Sequence, residues 1–249
     1  MRIITYADSY KQYEDDNRYK AVAFKALEDI LEIEPINGPG GKFELYHKII
    51  AVDSYIQHLP DDELIVFLDA FDVLPVNNVN KNRLEYAIEK TYNLEKITFN
   101  AEVGCYPSYD MAKYFDHIPG EWKYLNSGMY VGKVKKLKPY LCNIIEVYIK
   151  TLKPNRSYSV EYAKWNYNDQ TYCMKEYIKD NSMIDLDYNC NIFQTLYAGK
   201  GFFAPPHHKL YIDYEKKIIK NTSTNTYPLL VHGNGKVVLD SILPIISRP

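Results

Sequence analysis

A five-residue apolar run, Leu64–Leu68, ends in two carboxylates, Asp69 and Asp72, and this junction restricts the folds open to the chain. The run is rich in β-branched and aromatic residues and follows the turn-forming residues 60–62, so it predicts a strand buried on both faces. Such strands belong to parallel sheets that are covered by helices. In open sheets of this class, ligands bind outside the carboxyl ends of the strands, where both aspartates would lie.

The spacing of Asp69 and Asp72 permits two interpretations. Two carboxylates three residues apart at a strand end can converge on one hard cation, and oxygen ligands suit magnesium or manganese. Alternatively, the pair caps a turn, because Asp side chains accept hydrogen bonds from nearby backbone. For an isolated motif the cap is the commoner outcome, so the rest of the chain must decide.

The elements around this strand predict an α/β fold. Strands are predicted at residues 3–6 and 96–100, and three helices carry apolar residues at helical spacing. The apolar positions of the three helices are Ala23, Leu27, Ile30 and Leu31; Leu45, Ile49, Val52 and Ile56; and Leu84, Ala87 and Ile88, with Asn80 as the cap of the third. The order β-α-α-β-α-β is typical of a mostly parallel central sheet flanked by helices. No linker or repeat interrupts the 249 residues, so one domain, 1–249, is predicted.

The second half of the chain predicts further elements in a less regular order. A loop is predicted at residues 101–109, followed by a polar turn and a strand within 123–132 and a helix at 137–152. Asn168 or Asp169 is predicted to cap a helix that runs to Tyr177. Short strands are predicted at 183–187, 190–196 and 229–232, and a hairpin at 210–219.

Composition excludes some partners and supplies an expectation of location. The formal net charge of -2 gives no attraction for nucleic acid or for an anionic membrane, so neither is expected as a partner. The four cysteines are widely spaced, without a Cys-x-x-Cys pair, and are expected to be buried free thiols. The sequence shows neither an apolar signal segment at its start nor a run long enough to span a bilayer, so a soluble, cytoplasmic protein is expected.

His232 repeats the pattern of Asp69, because it ends an apolar strand and precedes a glycine turn. The two strand ends are expected to meet at one edge of the sheet. A neutral imidazole added to two carboxylates would form a three-ligand site with open positions for a diphosphate, as a manganese-dependent transferase requires. The alternatives are a hydrogen-bonded structural histidine and, for the nearby Lys236, a solvated surface charge rather than a phosphate contact.

Seven segments of the chain, taken together, resemble a known family. They are residues 67–73, 99–102, 105–107, 125–128, 169–170, 192–194 and 231–235. In the same order, they resemble the glycosyltransferase domain of procollagen lysyl hydroxylases, with the collagen galactosyltransferases as more distant relatives. Leu125-Asn126-Ser127-Gly128 and Val231-His232-Gly233-Asn234-Gly235 are identical to the family's motifs.

The resemblance implies a GT-A (Rossmann-like) glycosyltransferase fold that binds a UDP-sugar together with Mn2+ or Mg2+. It implies that Asp69, Asp72 and His232 hold the metal. On the donor side, Asp69 also belongs to the UDP-sugar site, Phe71 stacks on uracil where the family has Tyr, and Thr5 contacts the base. The resemblance further implies that Gly235 and Lys236 close on the diphosphate and that Gly233 belongs to the donor site.

The resemblance also implies an acceptor side and a reaction. The residues on that side are Glu102, Tyr106, Tyr109 and Gln170, together with Asn126 and Asp169 as the catalytic residues. The implied reaction transfers a hexose, glucose or alternatively galactose, to a hydroxyl acceptor such as hydroxylysine or galactosyl-hydroxylysine in a collagen-like peptide. Under the glucosyl version Asp169 stabilises positive charge at the anomeric carbon, and under the galactosyl version it serves as general base.

The chain departs from the family pattern in three places, which leaves two other functions open. Residues 166–169 keep only Asp169 of the family's acidic run, residues 36–39 lack the family's Trp, and the 249 residues are expected to hold no counterpart of the hydroxylase half. A nucleotide-sugar binding module with weak catalysis is the first alternative. The second is a metal-dependent phosphohydrolase that uses the same two aspartates.

Overall fold

The computed structural model describes residues 1–7, 18–39, 44–150, 168–197, 209–237, 239 and 241–246, without the side chains of 18–20 and 236. The strands described are β1 (Arg2–Tyr6), β2 (Glu34–Ile36), β3 (Leu64–Leu68), β4 (Val73–Pro75), β5 (Ile97–Glu102), β6 (Tyr124–Lys133), β7 (Ile184–Asp187), β8 (Phe193–Thr195), β9 (Leu210–Asp213), β10 (Ile218–Asn221) and β11 (Leu230–His232). The α-helices described are α1 (Arg18–Leu31), α2 (His47–Ile56), α3 (Lys81–Thr91), α4 (Val134–Ile144) and α5 (Asp169–Lys179). Shorter helical turns are a π-helix at Ile145–Ile149 and 3₁₀ turns at Tyr109–Phe115, Asn234–Lys236 and Leu243–Ile245.

Six strands form the central sheet in the order β2-β1-β3-β6-β5-β7. Strand β6 runs antiparallel to β3 and β5, whereas the other three pairs of neighbours are parallel. The expectation of a mostly parallel sheet flanked by helices is therefore confirmed. Strand β3 lies in the middle, so its carboxyl end opens at the centre of one sheet edge.

Both faces of β3 are buried, as its apolar sequence predicts. Alternate residues of a strand point to opposite faces. Ile65 and Phe67 pack in one apolar cluster with Val52 and Ile56 of α2. The other residues of β3, Leu64, Val66 and Leu68, pack in a second cluster with Leu27 and Leu31 of α1. This double burial explains why β3 is a run of apolar residues without alternation.

A second, smaller sheet carries His232. Its order is β4-β11-β8, with β11 antiparallel to β4 and parallel to β8. The expectation that the strands of Asp69 and His232 end at one edge of the same sheet is therefore wrong. Strand β4 has only three residues, too few to show a periodic pattern, so it was not predictable from sequence.

Several element boundaries also differ from the sequence predictions. Ala101 and Glu102 lie within β5 rather than in a loop, and the polar residues 124–128 belong to β6 rather than to a turn. A register shift between Phe99 and Asn100 lets β5 follow β6 past those polar residues. The expected helix at 137–152 begins at Val134 and changes to a π-helix after Ile144, and residues 151 and 152 lie outside the described part.

Strand β2 was also not predicted, whereas the hairpin is confirmed as β9 and β10.

All four cysteines are free, but Cys142 is exposed, contrary to the expectation of four buried thiols. Within the described ranges, no helix is both long enough and apolar enough to cross a membrane.

Candidate active site

Asp69, Asp72 and His232 come together because the chain turns directly from β3 into β4, which pairs with β11. In that pairing His232 lies opposite Val73. His232 Nε2 lies 3.4 Å from Asp72 Oδ2 and 3.7 Å from Asp69 Oδ2. The backbone N–H of Gly233 donates to the carbonyl of Asp72 at 2.7 Å, which fixes β11 beside the turn. Two sheets thus supply one cluster of three polar side chains.

The donor atoms of this cluster fit a divalent cation. One ligand atom from each of the three side chains lies within 4.8 Å of the others. Neighbouring ligands of an octahedral ion bound at about 2.1 Å are roughly 3 Å apart, so the observed spacing needs only small adjustments. Two carboxylates and one imidazole suit magnesium or manganese better than the softer metals that prefer thiolate ligands.

Burial and the repulsion between Asp69 and Asp72 disfavour the charged form of Asp69 when no cation is bound. Burial raises the pKa of Asp69, and the neighbouring Asp72 adds to that effect. Burial favours the neutral form of His232, but the charges of Asp72 and Asp69 outweigh it, so the pKa of His232 is raised. A bound divalent cation would offset the two carboxylates and leave the imidazole neutral.

Gly128 permits the close approach of Asp69 and His232. A Cβ atom at this position would lie 2.8 Å from Asp69 Oδ2 and would press against the His232 ring. The carbonyl of Gly128 also accepts a hydrogen bond from the backbone N–H of Asp69 at 2.8 Å. The glycine that ends the Leu-Asn-Ser-Gly motif is therefore required by the packing behind the cluster.

Lys48 of α2 joins the cluster to Asp169, a contact that sequence analysis missed. Its ammonium lies 2.9 Å from Asp69 Oδ1 and 3.0 Å from Asp169 Oδ2, and the residue is 9% exposed. Burial disfavours the ammonium, but the two carboxylates outweigh burial, so the pKa of Lys48 is raised. One buried cation therefore holds two carboxylates from distant parts of the chain.

Asp169 occupies the first turn of α5, where local structure fixes its position. Asn168 caps the helix, because its side-chain oxygen accepts from the backbone N–H of Gln170 at 2.9 Å. The predicted cap is thus confirmed as Asn168. The hydroxyl of Ser127 donates to Asp169 Oδ2 at 2.7 Å, so this buried oxygen receives bonds from both Ser127 and Lys48.

Glu102 is the centre of a second buried network. Gln170 Nε2 donates to one of its oxygens at 2.6 Å, and Asn234 Nδ2 donates to the other at 2.7 Å. Asn126 also forms a side-chain hydrogen bond with Glu102. Burial raises the pKa of Glu102 to about 7, although these three amides favour the carboxylate. The network connects β5, β6 and α5 with the turn after β11.

The residues predicted for the donor side lie in three different settings. Thr5 is a fully buried residue of β1, and its hydroxyl has no hydrogen-bond partner among the described residues. The Phe71 ring is half-buried, 5.8 Å from the Phe24 ring. Gly235 adopts a φ of 66°, a conformation that favours glycine, and the side chain of Lys236 lies outside the described part.

The predicted aromatic acceptor residues are on the surface beside the Glu102 network. Tyr106 is 49% exposed and Tyr109 is 76% exposed. The carbonyl of Tyr106 accepts from Gln170 Nε2 at 2.6 Å, so the backbone of this loop is attached to the buried network. The two exposed rings, one of them attached through its backbone to the polar Glu102 network, form a surface suited to a hydroxyl-bearing ligand.

A family profile described as the PLOD GT domain matches residues 6–243, nearly the whole chain. The chain belongs to the PLOD GT domain family. The resemblance inferred from its seven motif segments is therefore confirmed, and the protein is a glycosyltransferase-like domain.

The PLOD GT domain has similar counterparts in a virus and in animals. The uncharacterized protein R699 of Acanthamoeba polyphaga mimivirus is 26% identical over 196 residues, which cover 79% of this chain and 36% of that protein. The multifunctional procollagen lysine hydroxylase and glycosyltransferase of Caenorhabditis elegans is 28% identical over 200 residues, or 76% of this chain and 23% of that protein. The chain thus spans only about a quarter to a third of the length of these relatives.

The fold of this PLOD GT domain is similar to that of a glycosyltransferase involved in glycosylation of the major capsid of PBCV-1. The TM-score is 0.52 with 11% sequence identity, and the match covers 94% of this chain and 92% of the other. This likeness concerns the fold alone. The GT-A fold expected from the sequence is confirmed.

Proposed function

We propose that this PLOD GT domain is a divalent-metal-dependent glycosyltransferase that moves a hexose from a UDP-sugar to a hydroxyl acceptor. Family membership supports a glycosyltransferase. The observation that carries the metal-dependent donor site is the convergence of Asp69, Asp72 and His232 beside the Lys48–Asp169 ion pair.

The donor would bind at the carboxyl end of β3. Asp69, Asp72 and His232 would hold Mn2+ or Mg2+, and the bound cation supplies charge that neutralises the diphosphate leaving group. Phe71 and Thr5 would contact the uracil. Without side chains, Gly233 and Gly235 leave the backbone free to approach the diphosphate, and Lys236 would contribute a positive charge.

Lys48 and Asp169 would act on the transferred sugar. Asp169 is the carboxylate that we assign closest to the anomeric carbon, because Lys48 ties it to the metal-binding residue Asp69. Asp169 Oδ2 already accepts bonds from Ser127 and Lys48, so the acceptor positions of this oxygen are occupied. We therefore assign Asp169 the stabilisation of positive charge at the anomeric carbon rather than the role of general base.

The acceptor would lie on the side of Glu102, Gln170 and Asn126. These groups would orient its hydroxyl, and the exposed rings of Tyr106 and Tyr109 would contact the surrounding part of the acceptor. Because similar proteins carry the name procollagen lysine hydroxylase, a collagen-like peptide with hydroxylysine or galactosyl-hydroxylysine is the first acceptor class. Glucose is the proposed sugar, with galactose as the alternative.

The test is release of UDP from a panel of UDP-sugars with Mn2+, with and without the peptide acceptors. We expect one donor to release UDP faster with an acceptor, and we expect Asp169→Asn to keep donor binding but lose turnover. As a control, Asp62→Asn changes only a surface carboxylate paired with Lys135 and should behave as wild type. The absence of turnover with every donor, or formation of sugar phosphate instead of UDP, would contradict the proposal.

A further inference from the structure

A second cleft lies along β7, the edge strand of the central sheet. It has a volume of about 440 Å³ and is bordered by the edge strand β7, the residues after α3 and the end of α5. This volume falls in the range of roughly 300–1,000 Å³ that is typical of small-molecule sites.

The cleft is separate from the Asp69–Asp72–His232 cluster. Strand β7 is three positions from β3 in the sheet, or about 14 Å at roughly 4.8 Å per strand. The cleft also borders Lys96 and Thr98, at the amino-terminal part of β5, whereas Glu102 is at the carboxyl end of that strand. A ligand in the cleft would therefore not compete with a ligand bound at the end of β3.

The charged groups in the wall of the cleft already have partners within the protein. Lys96 Nζ lies 2.9 Å from Asp185 Oδ1. Asp187 accepts a hydrogen bond from the hydroxyl of Tyr92 at 2.6 Å and three more from the backbone N–H groups of residues 191–193. The charges that the wall exposes thus form one ion pair, and the remaining carboxylate, Asp187, is only 3% exposed and already bonded, which favours a neutral ligand.

The remaining wall combines amides with aromatic rings. Asn181, Asn189 and Asn191 are exposed in the cleft, and each amide presents a donor beside an acceptor. Adjacent hydroxyl groups of a sugar match that arrangement. Tyr188 also lines the cleft and is half-buried, and aromatic rings pack well against the C–H faces of pyranose rings.

We propose that this cleft binds a neutral saccharide of one or two residues. The carbohydrate would be held by the amides of Asn189 and Asn191 and by the ring of Tyr188. This inference does not depend on the catalytic reaction proposed above, because no residue of the donor site lines the cleft.

The test is NMR and calorimetric titration of the whole chain with glucose, galactose, maltose and lactose, with glucosamine and glucuronate as charged counterparts. We expect a neutral sugar to bind. We expect Asn191→Ala to lower the affinity for that sugar by about fivefold, as for loss of one hydrogen bond. The variant keeps the backbone bond from residue 191 to Asp187. Asn82→Ala, an exposed amide on α3 outside the cleft, and Asp72→Ala should leave this binding unchanged.

The inference would be overturned if none of the four neutral sugars binds. It would also be overturned if binding survives Asn191→Ala and disappears in Asp72→Ala, because the sugar would then occupy the donor site. A preference for glucosamine or glucuronate would equally contradict a neutral-saccharide site.

Discussion

Lys48 shows how one residue can determine the electrostatics of the candidate active site. It is buried, and its single charge lies between the carboxylates of Asp69 and Asp169. No local pattern marks it, because the neighbouring residues Ile49 and Val52 identify only an amphipathic helix. Its partners are far away in sequence, so its role emerges only after the helix packs against the sheet.

Replacement of Lys48 should destabilise the metal-free protein. Lys48→Met keeps most of the side-chain volume but leaves two buried carboxylates without their cation. Loss of one partner from a buried ion pair costs about 3–5 kcal/mol, and we expect the unfolding free energy to fall by an amount of that order in urea titrations with EDTA.

The double variant Lys48→Met/Asp169→Asn serves as the control for this prediction. Removal of one carboxylate should recover part of the lost stability, since less unpaired charge is then buried. If Lys48→Met is as stable as wild type, the ion pair seen between α2 and α5 has no energetic importance.

A methyl group at Gly128 should weaken metal binding at the candidate site of Asp69, Asp72 and His232. Gly128→Ala would place Cβ against the His232 ring and 2.8 Å from Asp69 Oδ2. We expect Mn2+ affinity, measured by calorimetry, to fall by at least about tenfold, as for other changes that misplace ligands. Gly104→Ala is the matched control, because its Cβ would be 3.6 Å from the nearest atom, in the Tyr197 ring. Equal Mn2+ affinity in both variants would refute the steric argument.

Metal binding should weaken as the pH falls, because a protonated imidazole cannot coordinate. Burial alone would lower the pKa of His232, but Asp72 and Asp69 raise it, so protons compete with the metal even above the ordinary value of about 6.5. Between pH of about 8 and about 6, we expect Mn2+ affinity to decline, approaching about tenfold per unit below that raised pKa. Calorimetric titrations with wild type and the surface control His58→Gln should agree, and a flat profile would exclude His232 as a ligand.

On the scale of secondary-structure elements, the sequence predicts where two of the helices begin. Asn80 and Asn168 each accept a bond from the backbone of the first helical turn, as their positions before periodic segments indicated. The three-residue strands β2 and β4 were not predictable, because their pairing depends on tertiary contacts rather than on local periodicity.

The two caps allow a matched test of the position of α5. Asn168→Ala and Asn80→Ala should each lower the unfolding free energy by about 1 kcal/mol, since each loses one capping bond. Only Asn168→Ala should reduce UDP release, because that cap holds the turn that carries Asp169. Equal turnover in the two variants would show that the position of α5 does not affect the reaction.

On the scale of the whole molecule, the site joins the ends of two sheets, whereas the sequence predicts one sheet edge. The sequence predicted that Asp69, Asp72 and His232 would converge, because the two aspartates follow one apolar strand and His232 ends another. The route by which they converge was not predictable, since it depends on the short strand β4 between β3 and β11. The Glu102 network was not predictable either, because its partner Asn234 lies 132 residues further along the chain.

The most direct measurement is calorimetric titration of UDP into the protein with Mn2+ and with EDTA, for wild type, Asp72→Ala and the surface control Asp62→Ala. We predict metal-dependent UDP binding that is at least about tenfold weaker in Asp72→Ala and unchanged in Asp62→Ala. UDP binding that is equally strong in EDTA, or unaffected by Asp72→Ala, would contradict a metal-dependent donor site formed by Asp69, Asp72 and His232.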